Sequence, residues 1–373
     1  MTLTVRSEDV VGYAGLVHRA AEDCRSAREY LDRSTGIDRS VAADLWDRVL
    51  RHHEEHVRDA RGVLNRFDAI LNASRSELKK TAAWYDAVDL DTARRLDATY
   101  PSTSTSVPVH RTRPQGSASF RDVRDALSRL KPPGGADGWL QGHLAEIEFA
   151  PTNKAVGTLL DFASPSALAN EGLKLVFGWD ILGYFANLLG GDWQSYAGCA
   201  DAWKGLGDAC ADMAENIRHG NSTLGITWRG NAADAAWKYF DNIAKKLDGT
   251  RDSLHDLSDL CRRVATLVYS LAETAKGILA DICDDAIQFA VASAASAALL
   301  ASGVGFTGGF VGVAFAAERA ASMIAKYESL VGQYDHLMLA VNAAFAAGGL
   351  LGSVSKDLRD FPVVGKSYDN ALV

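Results

Sequence analysis

Three strings in this sequence have residue types and spacing that could support chemistry. His52-His53-Glu54-Glu55-His56 matches the inverted zinc-protease pattern His-x-x-Glu-His. On a helix His52 and His56 share a face and could chelate a metal. Arg48, Arg51 and Arg58 flank the string, and nothing downstream marks a third ligand or a cleft. A solvated polar face without metal is therefore expected. Gly303-Val304-Gly305-Phe306-Thr307-Gly308 satisfies Gly-x-Gly-x-x-Gly, the turn that cradles dinucleotide phosphates. That turn needs a buried strand before it, whereas helical apolar sequence lies on both sides here. Helix packing or the turn of an apolar hairpin is the expectation instead. The sequence has no Gly-x-Ser-x-Gly elbow and no Walker loop. No nucleophile or acid–base pair stands apart from surface charge, so a non-enzymatic chain without cofactor is expected.

The third string is Trp228-Arg229-Gly230, placed between two long helical stretches. Glycine tolerates the positive φ of a tight turn, and the indole offers a large apolar surface with one hydrogen-bonding edge. Two tyrosine–acid pairs accompany it. Tyr269 and Glu273 follow about forty residues later, and Tyr85 and Asp89 lie far upstream. Residues four apart share a helix face, so one receptor could read tyrosine and acid together.

The elements that must position these residues read as helices. Ser7, Glu8 and Asp9 suit the start of a first helix running to about Asp32, with Ser34-Thr35-Gly36 as the break. Asp38 or Ser40 is expected to cap a longer helix. Its apolar positions Leu45, Val49, Val63, Phe67, Ile70, Leu71, Leu78 and Ala82 recur mostly at three- and four-residue spacing. Residues 1–99 thus form an antiparallel hairpin with an apolar stripe that needs a partner. Residues 100–138, rich in Ser, Thr and Pro, read as a linker with one amphipathic helix, Phe120 to Leu130. Residues 139–285 form a second hairpin around the Trp-x-Gly string, with helices at about 167–188, 191–219 and from 231 beyond 280. Residues 286–373 are an apolar helical region and tail. Within it, Ala286 to Ala317 is a run of 32 residues without charge, and Leu337 to Ser355 is a second of 19. About 20 apolar residues span a bilayer. The expected fold class is all-α: two long antiparallel helical-hairpin modules and an apolar Ala/Gly-rich helical C-terminal region.

Composition narrows the class of function. The 373 residues carry a formal net charge of −8, which argues against binding nucleic acid through bulk charge. Five scattered cysteines without a Cys-x-x-Cys pair suggest neither a zinc site nor a disulfide framework, and buried packing is expected of Cys199 and Cys210. Met1 to Ala20 contains Glu8 and Asp9 and no uninterrupted apolar run, so no Sec signal peptide is expected.

The run from Gly190 to Leu271 resembles the Trp-x-Gly proteins, small helical hairpins secreted by type VII (ESX) systems. Trp228-Arg229-Gly230 stands at the helix–helix turn, and Tyr269-Ser270-Leu271-Ala272-Glu273 matches the family's Tyr-x-x-x-Asp/Glu export signal in type and position. Leu78 to Asp97, with Tyr85 and Asp89, looks like the C-terminal end of type VII-associated hairpins. In that family two hairpins pair into a four-helix bundle, which sets one partner's export motif near the other's Trp-x-Gly turn. The resemblance implies a secreted or envelope-associated protein. Trp228, Gly230 and either Tyr269 with Glu273 or Tyr85 with Asp89 would be its export and partner-binding residues. It also implies the type VII secretion ATPase as a partner, and either a fused pair of hairpins within this chain or a separate small helical-hairpin partner or self-association. Two other functions remain open: membrane insertion through the apolar C-terminal hairpin, and a cytoplasmic adaptor that presents secretion substrates.

Overall fold

The computed structural model describes residues 3–39, 43–88, 90–99, 119–133, 167–302, 306–347 and 350–362, and these are helical nearly throughout. The first hairpin pairs α1 (Ser7–Ser34) with α2 (Asp44–Ala87), followed by the short α3 (Leu90–Asp97). Ser7 is the first helical residue rather than the cap. Arg6 holds the extended cap position without a side-chain bond, and Glu8 and Asp9 supply the negative charge of the first turn. Thr35 closes α1 by donating its hydroxyl to Leu31 O at 2.7 Å. The cap of α2 is Ala43, five residues beyond Asp38. Asp38 instead ties the connecting loop: its carbonyl accepts from Trp46 Nε1 at 3.1 Å. The apolar stripe of α2 is buried along its length, from Leu45 to Ala82.

The second hairpin is built from α6 (Trp193–Thr227) and α7 (Asn231–Ser302), preceded by α4 (Ala167–Phe177) and α5 (Ile181–Leu189). Gly178, at φ +74°, separates α4 from α5, so the helix expected over 167–188 is two. Asp180 and Asp192 cap α5 and α6 by accepting from Gly183 N at 2.9 Å and Ser195 N at 3.2 Å. The apolar faces of α1, α2, α6 and α7 meet in one core. There Tyr13 of α1 packs edge-on against Phe240 of α7 at 4.9 Å, and Ser74 of α2 donates to Tyr239 Oη at 3.3 Å. All five cysteines are free, and Cys24, Cys199, Cys210 and Cys261 are buried.

The piece over 119–133 docks across both hairpins, although it is not the helix expected of it. Only Ala126–Arg129 forms a 3-10 turn; the rest lies as a strap. Arg19 of α1 grips Asp122 at 2.7 Å, and Asn216 of α6 accepts from the backbone of Val123 and Arg124 at 2.9 and 2.8 Å. Tyr30 donates to Lys131 O at 2.5 Å and Arg129 to Asp212 at 2.7 Å.

A third hairpin is made by the far half of α7 and α8 (Phe306–Ala347), after which α9 (Leu350–Arg359) returns onto α2 and α7. The base of this hairpin is held by Asp285, which accepts from Lys326 at 2.7 Å, Ser322 at 2.7 Å and Arg319 at 3.1 Å. Arg66 anchors the end of α9 by donating to Leu358 O at 3.1 Å and Phe361 O at 3.1 Å.

Candidate functional site

The Trp-Arg-Gly string is the turn between α6 and α7. Trp228 leaves the helix in extended conformation, its N–H still bonded to Leu224 O at 2.9 Å. Arg229 then forms a two-bond antiparallel bridge with Thr4: Arg229 N donates to Thr4 O at 2.7 Å, and Thr4 N donates to Arg229 O at 3.1 Å. Gly230 turns the chain at φ +136°, a value that side chains disfavour. A glycine at this position has no side chain to cap the helix that follows, which leaves the first amides of α7 without a local acceptor. Asp97, at the end of α3, supplies it. Its carboxylate accepts from Ala232 N at 3.0 Å, and its carbonyl accepts from Asn231 Nδ2 at 3.1 Å. The turn of the second hairpin is thus closed by two pieces of the first.

A third piece is Tyr85 near the end of α2. Trp228 is buried, and its indole Nε1–H points at Tyr85 Oη at 3.4 Å, with the rings edge to face at 6.3 Å. Tyr85 also stacks edge-on with Trp84 at 5.2 Å. The tyrosine is half-buried, with Asp86 and Arg229 exposed. Asp89, the acid of this Tyr-x-x-x-Asp string, lies outside the described residues. Among the described residues the patch holds the aromatic pair Tyr85–Trp228 with Arg229 and Asp86 exposed beside it, apolar rings with polar edges of the kind enriched at protein–protein surfaces.

The other tyrosine–acid pair is elsewhere. Tyr269 stands thirty-nine residues beyond Gly230 on the single helix α7, about 60 Å along its axis. Tyr269 is buried, and burial with Glu273 alongside pushes its hydroxyl up to about 12, so it stays protonated. Glu273 pairs with Lys276 at 3.5 Å. The structure therefore brings Tyr85 to Trp228 and Gly230 and keeps Tyr269 and Glu273 apart from them.

The histidine string has other occupations. His53 is buried against Thr35 O at 2.8 Å, and His52 stacks on Phe345 of α8 at 4.4 Å. Burial, with His52 and His53 adding to it, lowers His56, which favours the neutral ring. Among the described residues no group of three or more His, Cys, Asp or Glu is placed to hold a metal ion.

Thr4 and Asp97 were not singled out by sequence reasoning. Thr4 acts through its backbone and has no side-chain signature. Asp97 had an indirect signal: a helix that opens after glycine needs an acceptor from elsewhere in the chain.

No curated protein and no solved structure matches this chain. Residues 195–327, which carry the Trp-x-Gly turn with nearly all of α6 and much of the helices beyond it, match the family model described as a WXG100 like domain, so this part of the chain is similar to the WXG-type helical hairpins.

Proposed function

We propose that this chain is a type VII secretion substrate in which both hairpins of the export-competent bundle are fused in one polypeptide. One observation carries this: Tyr85 of the first hairpin meets Trp228 at the turn of the second, hydroxyl to indole N–H at 3.4 Å. An export motif set beside a Trp-x-Gly turn, as between paired hairpins of the family, is here met within a single chain. Tyr85 and the Trp228–Gly230 turn together form the surface that the secretion ATPase reads, and Asp89 is the acid of that export string in the sequence. Tyr269 and Glu273 serve packing, since the tyrosine is buried and distant from the turn.

The test is export of the full chain from a type VII-competent cell, scored by blotting cytosol, membranes and medium with and without the secretion ATPase. ATPase-dependent release is expected for the wild type and for Tyr269→Phe. Tyr85→Ala is expected to lower release at least tenfold while helicity by circular dichroism stays unchanged. Normal release of Tyr85→Ala and of a Tyr85→Ala/Trp228→Phe double variant would refute the composite signal. Retention of the wild type in the cytosol would mark it as an adaptor for other substrates instead.

A further inference from the structure

The two uncharged runs of the C-terminal region meet different fates. The second, 337–355, turns one face to protein: Leu337, Val341, Phe345 and Leu351 are buried, with Phe345 against His52, while Leu339 points to solvent. The described arms of the first, 286–302 on α7 and 311–317 on α8, carry several bulky residues outward. Val291 is 52% exposed, Leu299 42%, Val311 71%, Val313 47% and Phe315 39%. Water-facing positions on a soluble helix normally carry charge. Here the two arms together have none over the 32 residues from Ala286 to Ala317. The small residues face inward, where Gly312 lets α8 approach so closely that a Cβ there would meet Ser296 Oγ. That arrangement, small residues between the helices and large apolar ones outside, suits lipid surroundings.

The base of this end has the chemistry of a membrane interface. Asp285 gathers Arg319 and Lys326 at one level, with Asp284 and Glu318 exposed beside them. Against the same level lies α4, whose Gly172 abuts the backbone of Ala286. Past it, Trp179 and Tyr184 are 40% and 41% exposed and in edge contact at 5.2 Å, with Trp179 also on Tyr327. Leu168 and Leu175 of α4 are exposed as well. Exposed Trp and Tyr beside a ring of charge is the pattern found at bilayer surfaces. From Asp285 to the end of α7 at Ser302 the helix rises about 25 Å, somewhat less than the roughly 30 Å of a hydrocarbon core.

We infer that the paired arms 286–302 of α7 and 306–317 of α8 enter a lipid bilayer as a re-entrant wedge, with the Asp285–Arg319–Lys326 collar, Trp179 and Tyr184 resting at the headgroups. Lipid is favoured over a second copy of the chain because the exposed apolar residues stand on both arms, Val291 and Leu299 on α7 and Val311, Val313 and Phe315 on α8, beside the charged collar, whereas a dimer surface needs only one side. The inference is independent of how the chain is exported.

The experiment is flotation of the purified full chain with phosphatidylcholine/phosphatidylglycerol vesicles, together with sedimentation in vesicle-free buffer. The wild type is expected to float and to sediment as a monomer. Val311→Asp/Val313→Asp alters only exposed positions and is expected to keep wild-type helicity while vesicle partitioning falls about a hundredfold, the scale for a charge carried into the hydrocarbon. Leu339→Asp, equally exposed but below the collar (67%), should float like the wild type. A nitrobenzoxadiazole label on Val311→Cys should shift to the blue on adding vesicles. A wild type that stays at the bottom of the gradient overturns the inference, whether it is monomeric or oligomeric, as when copies cover each other. Equal loss in Val311→Asp/Val313→Asp and Leu339→Asp overturns it too, since binding would then not depend on the tip.

Discussion

At Gly230 two constraints coincide. The φ of +136° excludes most side chains, and a Cβ built there would stand 2.7 Å from the Asp97 carboxylate. Gly230→Ala should therefore lose about 1–3 kcal/mol of stability, read as a lowered thermal midpoint. Asp97→Ala removes the acceptor of the α7 amide and should cost about 1 kcal/mol. Because the clash and the cap share one carboxylate, the double variant should be less destabilised than the two losses added together, and strict additivity would contradict the contact. A second residue-scale case is Asp23. Burial, then the nearby Asp122 and Asp125 of the strap, raise its carboxyl to about 6 from the usual 3.8. The folded state thus holds a proton that the unfolded chain has already released, so stability falls as pH rises from about 4 to 6. Asp23→Asn should raise the thermal midpoint at neutral pH, with the gain vanishing below pH 4.

At the scale of elements, the α7–α8 hairpin hangs on Asp285. Burial opposes its ionisation, but Lys326, Ser322 and Arg319 outweigh it and hold the carboxyl below its ordinary range. Its contribution is present above that range and lost as pH falls through the depressed value. Asp285→Ala leaves two cations without their shared partner and should cost about 2 kcal/mol, at the lower side of broken buried pairs because both cations keep some water. Hydrogen exchange should quicken along α8 above residue 311 and stay unchanged in α1 and α2. The strap is the other element-scale device. Phe120 rests on Tyr13 at 6.0 Å, and Asn216 takes two strap amides, so the strap joins α1 of the first hairpin to α6 of the second.

For the whole molecule, a shared core predicts shared unfolding. Tyr13 against Phe240 and Ser74 against Tyr239 join the first hairpin to the second, so neither can lose its partner without exposing apolar surface. Urea midpoints from tryptophan fluorescence and far-ultraviolet circular dichroism should coincide for the two hairpins. Two separated transitions would show them to be independent. The outer end of α7–α8 stands outside this core, which fits an element whose apolar face waits for another solvent.

The all-α class, the two hairpins and the buried face of α2 follow from local rules: three- and four-residue apolar spacing, glycine and small polar breaks, and scarce proline. Those signals lie within a turn or two of one another, so the amino-acid sequence alone determines them. The break at Gly178, the strap in place of a helix, and the different placements of Tyr85 and Tyr269 depend on distant partners. Tyr85 and Tyr269 carry nearly the same string. Only the packing of α1 and α2 on α6 and α7 decided that Tyr85 reaches Trp228, 143 residues away. The two uncharged runs are equally ambiguous as strings, since burial and lipid select the same residue types. The tertiary structure separated them by burying Leu337, Val341, Phe345 and Leu351 of the second run against protein while Val291, Leu299, Val311, Val313 and Phe315 of the first stay exposed.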